Sequence, residues 1–324
     1  MVRSVAASVL SFFKLIRFGN LLMIALIQYL VRYCLIGGML QNSGLNLQQD
    51  NFDFFLLSLS TVMLAAAGYI INDYFDTQID RVNKPHKVIV GRTIKRRVAM
   101  GAHIVITFIS ITLGFYLSNK AGMFKIGFVH LFSAGFLWFY STDFKKQPVL
   151  GNLVVAMLAA LVPLIVGLYE IPLIIKKYRQ TIIDTGIPIN HIFYFVAAYS
   201  GFAFLSTFIR EVIKDMEDYI GDKEFGRNTI PIAFGMRVSK FISIACIVFT
   251  MLLLAYPQYN QWQAKDTISF YYFLCFLQIP YFFLLLKIYT ATETKNYHFA
   301  SRISKLIMLF GILYTVVIWY LYQI

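Results

Sequence analysis

Two stretches of this 324-residue chain place aspartates at a spacing that chemistry could use. The first is Asn72-Asp73-Tyr74-Phe75-Asp76-Thr77-Gln78-Ile79-Asp80-Arg81, and the second is Lys214-Asp215-Met216-Glu217-Asp218-Tyr219-Ile220-Gly221-Asp222-Lys223. Both contain D-x-x-D-x-x-x-D, formed by Asp73, Asp76 and Asp80 and by Asp215, Asp218 and Asp222. On an α-helix, positions i, i+3 and i+7 share one face, so each stretch is expected to present three carboxylates as a stripe. Like charges so placed repel by roughly a few tenths of a kcal/mol per adjacent pair when exposed, and by more when buried. A cation relieves that repulsion. The donors are all oxygen, which favours Mg²⁺ over zinc or copper. Mg²⁺ usually keeps waters and shares its remaining positions with substrate phosphates. The flanking cations Arg81, Lys84, Lys214 and Arg227 suit a phosphate as well. The economical reading is two acidic helix ends joined through Mg²⁺ to a diphosphate, with the six aspartates as metal ligands and catalytic groups. The competing reading, solvated helix-end charges paired with those cations, would suffice for one cluster but leaves the repeated spacing unexplained. Asp143, Asp184 and Asp266 are isolated loop aspartates by contrast and are read as ordinary.

The elements that position these stripes are expected to be membrane helices. Hydrophobic residues make up 59% of the chain and charged residues 14%, well below the roughly 25% charged of a soluble domain. A bilayer-spanning helix takes roughly 20 apolar residues. Nine candidate spans lie near 21–40, 54–75, 98–118, 121–140, 150–170, 191–213, 237–257, 268–289 and 304–323. The first is read as a retained helix and not a signal peptide, because no small-residue cleavage site follows it. Irregular backbone cannot face lipid, so the fold class is all-α, a polytopic helical bundle. The clusters fall at the ends of spans two and six, four spans apart. That spacing predicts two related four-helix halves, roughly 1–148 and 149–290, facing each other across a cavity. The final helix, 304–323, is added to a single domain covering 1–324.

Loop charges set the orientation. Arg3, Lys14 and Arg17 precede span one. Arg81, Lys84, Lys87, Arg92, Lys95, Arg96 and Arg97 follow span two, and Lys145 and Lys146 follow span four. Lys214, Lys223, Arg227 and Arg237 follow span six. The opposite loops are poorer in cations, apart from Lys176, Lys177 and Arg179. By the positive-inside rule both acidic clusters face the cytoplasm, from a multi-pass protein of the cell membrane. The net charge of +13 mostly reflects this asymmetry. It points to anionic lipid or an anionic substrate and not to nucleic acid. Cys34, Cys246 and Cys275 stand isolated in apolar stretches and read as packing residues. The five histidines show no ligand spacing, although His86 lies beside the first cluster. No sequence feature specifies an oligomeric state.

At these residues the chain resembles the UbiA superfamily of intramembrane prenyltransferases. Asn72-Asp73-x-x-Asp76-x-x-x-Asp80 is similar to its first Asp-rich motif, and Asp218-x-x-x-Asp222, preceded by Asp215, to its second. Arg17-Phe18-Gly19-Asn20 resembles the opening of the family's first helix, where the resemblance implies that Asn20 helps line the substrate site. Arg81-Val82-Asn83-Lys84-Pro85 resembles the loop after the first motif, and Gly226-Arg227-Asn228-Thr229-Ile230-Pro231 the stretch after the second. Tyr140-Ser141-Thr142-Asp143-Phe144-Lys145-Lys146 resembles the Tyr/Lys loop after helix four, with one more residue between Tyr140 and Lys145 than is common. The loop His86-Lys87-Val88-Ile89-Val90-Gly91-Arg92 lacks the Arg-Pro and Ser-Gly pairs that many relatives carry. The resemblance implies substrate contacts from Asn20, Asn72, Arg81, Lys84, Arg92, Tyr140, Lys145, Lys146, Lys214 and Arg227. It implies Mg²⁺-dependent transfer of a prenyl group from its diphosphate to a lipid-soluble acceptor.

Arg210-Glu211-Val212-Ile213-Lys214-Asp215-Met216-Glu217-Asp218 most resembles the ether-lipid branch of the superfamily. Members of that branch attach geranylgeranyl to the free hydroxyl of geranylgeranylglyceryl phosphate. Prenylation of an aromatic ring, as in quinone synthesis, is the alternative on the same fold. A cation-coupled transporter is the alternative from another class. Against it, the carboxylates sit at span ends and not at mid-membrane, and no Gly/Pro-broken pair of spans stands out in matching positions.

Overall fold

In the computed structural model, residues 2–41, 43–83 and 88–323 are described, without the side chains of 2–8 and 79–83. Thirteen helices follow one another, and no strand occurs among the described residues. They are α1 (Val2–Leu15), α2 (Phe18–Gln41), α3 (Asn51–Asn83), α4 (Arg96–Lys120), α5 (Phe128–Thr142), α6 (Leu150–Lys177) and α7 (Arg179–Thr185). Then come α8 (Ile189–Glu217), α9 (Tyr219–Glu224), α10 (Ile230–Ala233), α11 (Met236–Gln263), α12 (Thr267–Thr290) and α13 (Thr294–Leu321). The helices α2 and α12 contain π-helical segments, Val31–Ile36 and Phe273–Gln278.

Eight of these helices are long and apolar enough to cross a bilayer: α2, α3, α4, α6, α8, α11, α12 and α13. The chain is thus a multi-pass membrane protein. The ninth expected span, 121–140, is shorter as a helix than its hydropathy suggested. Its α5 has 15 residues, about 22 Å at 1.5 Å each. The 3₁₀ turn Phe124–Gly127 before it adds about 8 Å, which brings the path to bilayer thickness. Large apolar side chains such as Phe108, Phe241 and Leu252 point outward, as lipid-facing residues do.

The chain divides into two compact units. The first comprises Met1–Gln28, Gln48–Phe144 and Leu168–Leu173. Its centre is the α3–α4 pair. Ser110 donates to the Ser60 carbonyl at 2.8 Å, and the His103 ring meets the Ala67 carbonyl at 3.0 Å. His130 of α5 closes on Ser60 at 2.9 Å. Gly114 makes that approach possible, since a Cβ there would lie 2.5 Å from the imidazole. Fully buried Glu170 accepts the backbone N–H groups of Gln48 and Gln49, which fixes the start of α3.

The second unit comprises Tyr29–Leu47, Lys145–Gly167 and Ile174–Ile324. Its core joins α8, α11, α12 and α13 through Ile209, Ile213, Met216, Ile247, Leu284 and Ile307. Ser206 and Tyr281 share a buried hydrogen bond of 2.8 Å across that core.

Candidate active site

The first acidic cluster lies on one unbroken helix. Asp73 and Asp76 both belong to the last turns of α3, so they stand one turn apart on one face. Asp80 follows on the same helix; its side chain, like that of Arg81, lies outside the described part, and Lys84 and His86 lie outside the described residues. Asp76 is only 7% exposed, which sets it apart from a solvated helix-end charge. Asp73 accepts from Arg17 Nη2 at 2.9 Å, and the Asn72 amide also bonds its carboxylate. The Arg17 guanidinium rests 4.7 Å over the Tyr69 ring, whose hydroxyl meets the Asn20 amide at 3.3 Å. Tyr140 of α5 lies within electrostatic range of Arg17. Arg96 stacks 4.4 Å over Tyr74. Arg17 itself adopts φ +52°, a left-handed conformation rare for a residue with a side chain, at the corner between α1 and α2. An open groove of ≈ 470 Å³ beside it is lined by Phe13, Lys14, Arg17, Phe18, Gly19 and Asn20. Arg92 lies in an exposed turn after Gly91.

The second cluster departs from the expected stripe. Asp215 is on α8, Asp218 is the hinge residue between helices with φ −91° and ψ 8°, and Asp222 is on α9. The i, i+3, i+7 pattern is therefore interrupted by a bend. Asp222 is 3% exposed and accepts from Arg227 Nη1 at 3.0 Å. Burial pushes its carboxyl above the ordinary carboxylate value; Arg227 and Lys145 oppose that rise, and neighbouring Asp218 adds to it. Asp215 accepts from the Asn152 amide of α6 at 2.8 Å. Lys214 approaches Glu211 at 3.9 Å. The Asn228 N–H donates to the Lys146 carbonyl at 3.2 Å, tying the loop after α5 to the loop after α9.

That loop is held in strain. Leu150 N–H bonds the Pro148 carbonyl at 2.8 Å, and Val149 between them adopts φ 69° and ψ −46°. This is a γ-turn of the disfavoured hand, centred on a β-branched residue. Such strain costs about 1–3 kcal/mol and persists where surrounding structure over-determines it. Here it reverses the chain between Lys145-Lys146 and Asn152.

In the second unit the structure thus brings together Asp222, Arg227, Lys145 and the backbone of Lys146. In the first it brings together Asp73, Asn72, Asn20 and the neighbourhood of Tyr140. Sequence reasoning gave no role to Arg17 on Asp73, Asn152 on Asp215 or Tyr69 beneath Arg17. A single amide near the start of an apolar helix was the available signal for Asn152. Of the lone aspartates, Asp184 accepts from Gln180 at 2.7 Å within α7, a short helix where a loop was expected, and Asp266 caps α12 through Ser269 at 3.0 Å. Cys34, Cys246 and Cys275 are free thiols.

The donor set fits Mg²⁺. The acidic groups are all carboxylate oxygens, partly or wholly withdrawn from water. Among the described residues no three His, Cys, Asp or Glu side chains converge closely enough to hold a metal by themselves.

Known proteins resemble this chain, which spans less than two thirds of the length of the first curated relatives it matches. A digeranylgeranylglyceryl phosphate synthase of Methanothermobacter thermautotrophicus is 31% identical over 203 residues, which is 62% of this chain and 63% of that protein's own length. A solved digeranylgeranylglyceryl phosphate synthase superimposes with a TM-score of 0.63 at 21% identity, covering 96% of this chain and 98% of the other. A UbiA homologue from Archaeoglobus fulgidus, solved with DMAPP and Mg²⁺, gives 0.57 at 19% identity, covering 95% and 99%. At these identities the two structures speak for the fold alone. Residues 31–306 match the UbiA prenyltransferase family, and with two Asp-rich motifs on a bundle of apolar helices the chain belongs to that family.

Proposed function

We propose that this protein transfers a geranylgeranyl group from its diphosphate to the free hydroxyl of geranylgeranylglyceryl phosphate, in a Mg²⁺-dependent reaction at the cytoplasmic face of the cell membrane. The observation that carries the reading is the pair of Asp-rich motifs, each with one buried aspartate and flanking cations, at the ends of apolar helices. The Archaeoglobus homologue binds DMAPP with Mg²⁺, which supports a prenyl diphosphate donor. The name of the Methanothermobacter relative supports the acceptor.

Asp73, Asp76 and Asp80, with Asp215, Asp218 and Asp222, would hold Mg²⁺ against the donor. When bound, Mg²⁺ neutralises the diphosphate and makes it a better leaving group. Arg227, Lys145, Lys146, Lys214, Arg92, Arg81 and Lys84 would complement phosphate oxygens as charge builds on them. Asn20, Asn72 and Tyr140 would supply neutral hydrogen bonds. The bond from the prenyl C1 to the diphosphate oxygen breaks, an ether bond forms to the acceptor oxygen, and the hydroxyl proton is released. Apolar helix faces keep water from the allylic cation and accommodate the tail.

The test is direct. Purified protein in lipid vesicles receives Mg²⁺, geranylgeranyl diphosphate and a panel of acceptors, and products are identified by mass. The expected product is the diether phosphate. Prenylated hydroxybenzoate or naphthoate, without the diether, would replace the lipid acceptor by an aromatic ring.

A further inference from the structure

The helix α8 carries two rows of charge inside a membrane span. At about 100° per residue, Arg210 and Lys214 stack one turn apart, and Glu211 and Asp215 stack beside them. The anionic row is engaged: Asp215 takes the Asn152 amide, and Glu211 takes Arg210 Nη1 at 2.7 Å and Lys214 Nζ at 3.9 Å. The cationic row is only partly satisfied. Arg210 is bonded to its immediate neighbour in sequence, although adjacent helix residues do not face each other. Its guanidinium must therefore fold back along its own helix. Its Nε is buried and has no hydrogen-bond partner. One Glu211 carboxylate also sits against two cations, next to a proposed metal ligand. A charged side chain within a span is costly unless it serves a partner or a substrate.

We infer that Arg210, with Lys214, binds the phosphate of the acceptor headgroup, which makes Arg210 a specificity-determining residue. This rests on the acceptor proposed above. The short glycerol backbone keeps that phosphate within one or two carbons of the attacking hydroxyl. It must therefore lie near the reacting centre, beside a second anionic group, and needs its own cation there. Arg210 is five residues from Asp215, about 7.5 Å along the helix and about 140° around it, to one side of the proposed metal ligand. A guanidinium matches phosphate oxygens with paired N–H groups, which an ammonium cannot do. Glu211 holds the fork through Nη1 and leaves the remaining donors for the ligand. A neutral ring acceptor would leave this cation unused.

The experiment compares geranylgeranylglyceryl phosphate with the same lipid lacking its phosphate, using full-length protein in vesicles with Mg²⁺ and geranylgeranyl diphosphate. Arg210→Gln should raise KM for the phosphorylated acceptor at least about tenfold and reduce discrimination between the two acceptors by a similar factor. Arg210→Lys should recover part of the loss. If Arg210→Gln leaves Glu211 buried without its partner and fails to fold, the Arg210→Gln/Glu211→Gln double variant removes both charges, and the same shift is expected. Equal changes for both acceptors, a KM rise confined to the prenyl diphosphate, or unchanged discrimination would each overturn the assignment while leaving the acceptor reading intact. A wild-type protein that makes no ether from the phosphorylated lipid would overturn both.

Discussion

Asp76 and Asp222 carry the functional reading furthest at the scale of single residues. Each is nearly inaccessible and lies in a motif of like charge, a combination that costs stability without a counter-charge. The spacing of the aspartates was legible in the sequence because a helix turns at a fixed rate. Their partners were not. Arg17 reaches Asp73 across 56 positions, and Asn152 reaches Asp215 across 63. Which side chain meets which carboxylate depends on how helices pack, and no local pattern encodes that. Asp73→Ala, Asp76→Ala, Asp215→Ala and Asp218→Ala should each lower turnover by at least about 100-fold, the scale of losing a main electrostatic stabiliser. Asp184→Ala, on α7 and bonded within its own helix, should stay near wild type. Steady-state kinetics on purified variants with matched thermal stability checks this. Wild-type turnover in the motif variants would move the site elsewhere.

The bend at Asp218 and the γ-turn at Val149 show what a motif leaves out at the scale of elements. The pattern of the second cluster fits an unbroken helix as well as it fits a bent one. Nothing in Asp218 forbids helical backbone, so the interruption comes from the tertiary setting of α9. Similarly, hydropathy over 121–140 promised a full helix, but its first turn is 3₁₀ and too tight to count as one. Val149 gave no sequence signal, since a β-branched residue is a poor choice for positive φ. The turn is expected to hold Lys145, Lys146 and Asn152 in place. Val149→Gly would accept the same φ without strain but free the loop. Thermal stability should be unchanged or slightly higher, while kcat/KM falls about tenfold or more through looser placement of catalytic groups. Loss of stability together with full retained activity would show that the turn is structural only.

At the scale of the whole molecule, composition and hydropathy made the membrane bundle legible, because lipid tolerates so few architectures. The loop charges predict that residues 76–97 and 214–236 face the cytoplasm and that the loop at 43–50 faces away. Cysteine labelling from each side of sealed vesicles, in a background lacking Cys34, Cys246 and Cys275, checks this; labelling of 92 or 223 only from the far side would reverse the orientation. The central claim is that the carboxylates act through a divalent metal to release a prenyl diphosphate. It is tested most directly by following diphosphate release from geranylgeranyl diphosphate in the presence of acceptor, with and without chelator. Release should match ether formation, stop in excess chelator and return with Mg²⁺ but poorly with Ca²⁺, which prefers a larger and looser shell. Full release in excess chelator, or in Asp73→Ala, would contradict the account.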